Sequence, residues 1–298
     1  QAVLIYPYKY TGRHRVDGRP LGIFMKAQAD FSIPSSWMSN KLKVGTDWQL
    51  DKNLGKGQLF DPMFPLYTGI STRQRKYSDV PAEVQQSNFA EADITLPFGN
   101  QQLQLVAGLR SSMMMNLSSR YDLHGKVYLD PRVNVGWNLP PIGAGYSALN
   151  LQLRGGWGKH TKMPTIDQLF PELLYIDMVE MNYWHAKREL RSVWLQTYIK
   201  DPTNWHLRAA RNEKWELSVD ASWRGHRFTL TYFEEDMKSG FRHMSDYHPY
   251  SYKWYDTSGI DHNNLTAAPD PTTLPYEVRH VLRSTGQTSN GSRTLKRG

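Results

Sequence analysis

The chain contains no cysteine. That excludes a disulfide framework, a thiolate metal site and a cysteine nucleophile. It also has no apolar run near the roughly 20 residues that a membrane-spanning helix needs, and its mean hydropathy is −0.62. The G-x-S-x-G, H-E-x-x-H and P-loop patterns are absent, so no enzymatic activity is expected. No basic and apolar leader opens the chain, and no solenoid or propeller repeat runs through it. Net charge is +8, yet Lys and Arg are scattered instead of gathered in a stripe, which argues against a nucleic-acid partner.

What the chain does have is alternation. Eight stretches of roughly 10–16 residues alternate apolar and polar side chains: about 21–33, 41–51, 84–98, 101–117, 127–139, 148–159, 214–224 and 227–237. The clearest is 214–224. Trp215, Leu217, Val219, Ala221 and Trp223 fall on one face, and Lys214, Glu216, Ser218, Asp220, Ser222 and Arg224 on the other. A strand sends successive side chains to opposite faces. The two tryptophans are thus about 26 Å apart along the strand at roughly 3.3 Å per residue. Tilted, that span projects to about 20 Å, near the roughly 25 Å apolar band of an outer-membrane barrel with its aromatic girdles. Such barrels escape hydropathy scans because half of each strand faces the lumen.

The connections alternate too. Turns at 34–36, 99–100, 140–146 and 224–226 are short, whereas 53–82, 160–210 and 241–290 are long. Compact soluble domains seldom hold two structureless loops of about 50 residues, but outer-membrane barrels join strands by short periplasmic turns and long extracellular loops. Short helical pieces are expected near 165–178, and a ninth strand opens near residue 293. The fold expected is an antiparallel transmembrane β-barrel segment of eight to nine strands, residues 1–298 forming one partial domain. The absence of an initiator Met and of a closing aromatic suggests an internal piece of a longer protein. Two competing readings are a passive porin or adhesin-like barrel, and a soluble carbohydrate-binding β-sandwich.

The long loops are rich in aromatics. Tyr183, Trp184, Trp194 and Trp205 lie in one, and Tyr250, Tyr252, Trp254 and Tyr255 in the other. Flat rings with a few polar groups suit a sugar or another amphipathic solute; packing of the loops on each other, or a place at the head-group level, is the simpler account of them. His243 and His248 flank Asp246, but their spacing matches no metal motif, so no metal or other cofactor is expected. Glu234, Glu235 and Asp236 read as a charged rim rather than a paired-carboxylate site.

Several stretches resemble the barrel of TonB-dependent outer-membrane receptors, most closely the nutrient importers of the starch-utilisation type. They are Tyr128-Leu129-Asp130-Pro131-Arg132-Val133, Arg154-Gly155-Gly156-Trp157-Gly158-Lys159, Met163-Pro164-Thr165, Leu169-Phe170-Pro171, Arg211-Asn212-Glu213-Lys214-Trp215-Glu216-Leu217 and Tyr232-Phe233-Glu234-Glu235. The resemblance covers about residues 100–298. It implies a 22-stranded barrel in the bacterial outer membrane, plugged by an N-terminal domain that this chain lacks. It further implies TonB as a partner through that plug, and in the starch-utilisation type a surface lipoprotein. The charged row on the polar face would then meet the plug: Asp47, Glu91, Asp93, Arg110, Asp130, Arg132, Arg154, Glu216 and Asp220, with Lys26, Asp30, Lys43 and Lys214 beside them. A plain water-filled pore lining is the alternative role for the same row.

Overall fold

The computed structural model describes residues 11–61 and 73–298. Residues 62–72, part of the long 53–82 connection, lie outside the described residues. In chain order the strands are β1 (His14–Asp17), β2 (Pro20–Ser32), β3 (Ser39–Asn53), β4 (Gly57–Phe60), β5 (Glu83–Phe98), β6 (Gln101–Met114), β7 (Tyr128–Asn138) and β8 (Asn150–Lys162). A single-turn helix α1 (Ile166–Leu169) follows. Then come β9 (Leu174–Tyr183), β10 (Ser192–Lys200), β11 (Ala210–Trp223), β12 (His226–Met237), β13 (Phe241–Tyr255), β14 (Tyr276–Asn290) and β15 (Thr294–Arg297).

Nine strands form one antiparallel sheet in the order β15-β12-β11-β8-β7-β6-β5-β3-β2. The sheet is an open arc, with β2 and β15 as its two edges. All eight alternating stretches are strands of this wall, and the ninth is β15. The apolar faces are exposed: Leu217 retains 59% of its surface and Leu230 76%. An apolar face left exposed along the wall, opposite a charged one, is the inverse of a soluble sheet. The tight turns have the expected chemistry. Gly225 adopts φ 80 and Arg224 φ 47, the positive values that a two-residue turn matching strand twist requires.

The long loops are not structureless. Residues 160–210 contain the β9–β10 hairpin, and 241–290 contain the fifteen-pair β13–β14 hairpin. β1 and β4 pair likewise beside the 53–82 connection. These strands lack the clean alternation of the wall; Pro249 even sits within β13, opposite Leu282. The helical expectation at 165–178 shrinks to one turn. The Gln168 side chain accepts from the Thr165 N–H at 3.0 Å at its start. Pro171, which disfavours helical backbone at Phe170, follows its end. The strand expected over 101–117 stops at Met114, and Leu117 turns into a buried cluster.

The buried clusters belong to one end of the wall, where the hairpins are. Met114, Leu117, Tyr121, Leu123, Met163, Leu169, Leu207 and Ala209 form the larger. Met181, Tyr183 and Tyr255 form the smaller, with Trp194, Ile260, Leu265 and Leu274 against them. Among the described residues no helix is long and apolar enough to cross a membrane.

Candidate functional site

On the polar face the charges lie in rows across the strands. Lys43, Glu91, Gly108 and Arg132 are in register on β3, β5, β6 and β7. Arg132 reaches across β6 to pair with Glu91, and Lys43 Nζ lies 3.6 Å from the same carboxylate. Gly108 gives this crossing room, since a Cβ there would stand 2.9 Å from Arg132 Nε. Arg110 donates to Asp47 Oδ1 at 2.9 Å. Gln104 donates to Asp93 at 3.1 Å. Asp220 accepts from Arg154 at 2.5 Å and from the Thr229 hydroxyl at 2.6 Å. Lys214 lies 2.9 Å from Glu216.

Asp130 has a different task. Pro131 has no N–H to donate, and the β7–β8 ladder stops beside it, at Arg132–Gly158. The Asp130 carboxylate takes over, accepting the Thr161 N–H at 2.9 Å and the Thr161 hydroxyl at 2.6 Å. Arg211 Nη2 donates to Leu129 O at 2.7 Å and lies 3.7 Å from Asp130. All nine wall residues singled out in the sequence therefore have polar partners within the wall. Where both partners stay in water such pairs contribute little to stability, whereas Asp47 and Asp130 are buried. The geometric effect of the pairs is to keep long charged side chains flat against the wall.

At the hairpin end, the eight aromatics divide. Trp205 packs on Tyr121 at 4.6 Å between ring centres, and the Arg120 guanidinium lies over the same ring at 4.1 Å. The Tyr183 hydroxyl meets His262 Nδ1 at 2.7 Å. Tyr255 is edge-on to Tyr276, and Trp194 lies against the smaller cluster. Tyr250 contacts Tyr198 at 4.9 Å, Trp254 lies under Arg279 at 4.3 Å, and Tyr252 is half-buried. Trp184 is 67% exposed.

The two hairpins also bind each other. Lys200 donates to the Thr285 hydroxyl at 2.7 Å, and buried Glu180 accepts the Lys253 N–H at 3.1 Å. Tyr198 reaches Ser251 O. Lys200, Thr285 and Glu180 carried no motif in the sequence, since pairing between two distant hairpins leaves no local pattern. His248 lies 3.3 Å from Asp246 and beside Lys200; no group of three or more metal-ligating side chains occurs among the described residues. Burial raises the Tyr121 hydroxyl to about 12, with Asp201 adding to the shift. It raises Tyr183 as well, where Asp261 adds to it.

The family model described as "TonB dependent receptor-like, beta-barrel" matches residues 6–283. No curated protein matches the sequence. Among solved structures, the siderophore receptor PirA from Acinetobacter baumannii is similar at 16% identity and a TM-score of 0.51; the match covers 94% of this chain and 34% of that one. The ferric enterobactin receptor PfeA from Pseudomonas aeruginosa is similar at 18% identity and a TM-score of 0.49, covering 97% and 33%. The chain thus spans about a third of the length of these relatives. The family is one of receptors and transporters, not of enzymes. With the matched model spanning most of the sequence, and the wall bearing an apolar outer face and long connections at one end, this chain belongs to the TonB-dependent receptor-like β-barrel family of the bacterial outer membrane.

Proposed function

We propose that residues 1–298 are one part of the barrel of a TonB-dependent importer, which carries a nutrient through the outer membrane into the periplasm. An open nine-stranded arc leaves two unpaired edges, which lipid does not tolerate; further strands and a plug complete the working protein in this reading. The mechanism is binding at the hairpin end, displacement of the plug by TonB, and release. Energy from TonB shifts the population between closed and open states. The observation that carries the reading is the one-sided architecture, with tight turns at one end of the wall and mutually bonded hairpins at the other. The charged wall supports it, because side chains already paired in the wall can exchange partners with a plug surface without leaving a bare charge.

For the cargo we infer a glycan, with a surface lipoprotein as partner, as in starch-utilisation importers. The half-exposed Tyr252 and Trp254 and the exposed Trp184 support it, since flat rings suit sugar faces. A second reading, a siderophore, draws on the name of the Acinetobacter baumannii relative, with which the chain shares its fold. Uptake by cells carrying the full-length protein separates them. Accumulation of a labelled oligosaccharide that stops when TonB is deleted supports the first. Accumulation of a ferric siderophore supports the second, and uptake of either that persists without TonB supports a passive porin.

A further inference from the structure

Where β8 and β11 meet the residues before β7 and after β12, at the hairpin end of the wall, lies a cleft of about 470 Å³. Five cations line it, Lys126, Lys159, Arg208, Arg211 and Lys238, against the single carboxylate of Glu213. Lys238 Nζ lies 3.3 Å from Glu213, and Arg211 is held by Leu129 O and Asp130. Lys126, Lys159 and Arg208 have no ion pair among the described residues.

The height and side of this cleft are set by register. Trp157 and Trp215 are paired on the apolar outer face. Lys159, Glu213 and Arg211 continue that face beyond them, and Trp157 Nε1 donates to Glu213 at 3.0 Å. Lys159 leans back over the Trp157 ring at 5.6 Å. Two residues add about 7 Å along a strand. If Trp157 and Trp215 stand in the aromatic girdle, where amphipathic rings meet the head groups, the cations reach the layer of lipid phosphates. They do so at the hairpin end, which faces the outer leaflet.

We propose that this cleft binds the phosphate of an anionic outer-leaflet lipid, with Lys126, Lys159 and Arg208 as the charges that recognise it. Each basic side chain near a charged membrane surface strengthens such binding several-fold. The site is independent of the cargo carried through the barrel.

The test uses the full-length protein in detergent, with lipid retention read by native mass spectrometry. The probes are phosphatidic acid, phosphatidylcholine of the same chain length, and inorganic phosphate. The variant is Lys126→Gln/Lys159→Gln/Arg208→Gln. The double variant Lys126→Gln/Arg208→Gln, confined to exposed side chains, serves if the triple does not assemble. Lys187→Gln, exposed on the β9–β10 hairpin, is the control. The wild type and the control are expected to retain phosphatidic acid about tenfold or more over the variant, and over phosphatidylcholine, with inorganic phosphate displacing it weakly. Equal retention by wild type and variant, or of both lipids, overturns the proposal. Binding of inorganic phosphate as strong as that of the lipid overturns the lipid assignment and leaves a free-anion site.

Discussion

The nine-stranded wall and the hairpin end are built of the same strands but obey opposite rules. In the wall, large apolar residues are exposed and the polar face carries the contacts. At the hairpin end, Leu169 and Leu207 retain none of their surface, and the apolar residues form clusters as in a water-soluble protein. The solvent explains the contrast. Lipid is as apolar as leucine, so a wall in lipid gains nothing by hiding leucine and is held by its ladder. Beyond the membrane, water again drives apolar side chains together.

That contrast can be broken from either side. The largest effect is expected from Leu207→Ala or Leu169→Ala, about 2–5 kcal/mol for a fully buried leucine. The damage should be local: proteolysis within 163–209 should speed up while the heat-dependent gel shift of the barrel persists. Loss of the gel shift would show that the hairpin end and the wall are one cooperative unit. Next is Val219→Arg, midway between Trp215 and Trp223 on the outer face of β11. It is expected to cost about 2–4 kcal/mol in denaturant unfolding from lipid vesicles. Glu216→Gln, on the inner face of the same strand, should cost less than about 1 kcal/mol. Equal costs would mean that the two faces do not meet different solvents.

A smaller effect, about 1–3 kcal/mol, is expected from Asp130→Ala, which leaves the Thr161 N–H without its acceptor. Hydrogen exchange at Thr161 should accelerate, and exchange at Gly156, deeper in the ladder, should not. The smallest concerns pH. The Tyr121 hydroxyl is raised from its usual 10 to about 12, so its neutral form is favoured in the folded hairpin end. Below pH 10 this contribution is fully present. It is lost as pH rises toward 12, because the unfolded chain releases its proton first. Protease resistance of the hairpin end should fall over that window, and tyrosinate absorbance of Tyr121 should lag behind that of exposed tyrosines. Tyr121→Phe should remove the lag together with the 2.5 Å hydrogen bond to Leu169 O.

How much could be read beforehand follows the same division. Every strand of the wall was legible, because lipid on one side and water on the other force strict alternation at each position. The charged row was legible as a row but not as pairs. That Arg132 reaches Glu91 depends on the register of three strands and on Gly108 between them. The β9–β10 and β13–β14 hairpins were missed, since runs such as Phe241–Tyr255 mix polar and apolar residues on both faces. The role of Pro131 was missed as well. It sits in phase with the outer face, and only its effect on the β7–β8 ladder reveals the gap that Asp130 fills.

By itself, then, the sequence determined which face of each strand is apolar, where the tight turns fall and that the chain belongs to an outer-membrane barrel, because the alternation of apolar and polar side chains acts on each residue locally. The tertiary structure alone decided which charges pair, which loop aromatics pack and which stay exposed, and where β7 and β8 part. Those outcomes depend on side chains brought together from strands tens of residues apart, and no local pattern encodes such distances.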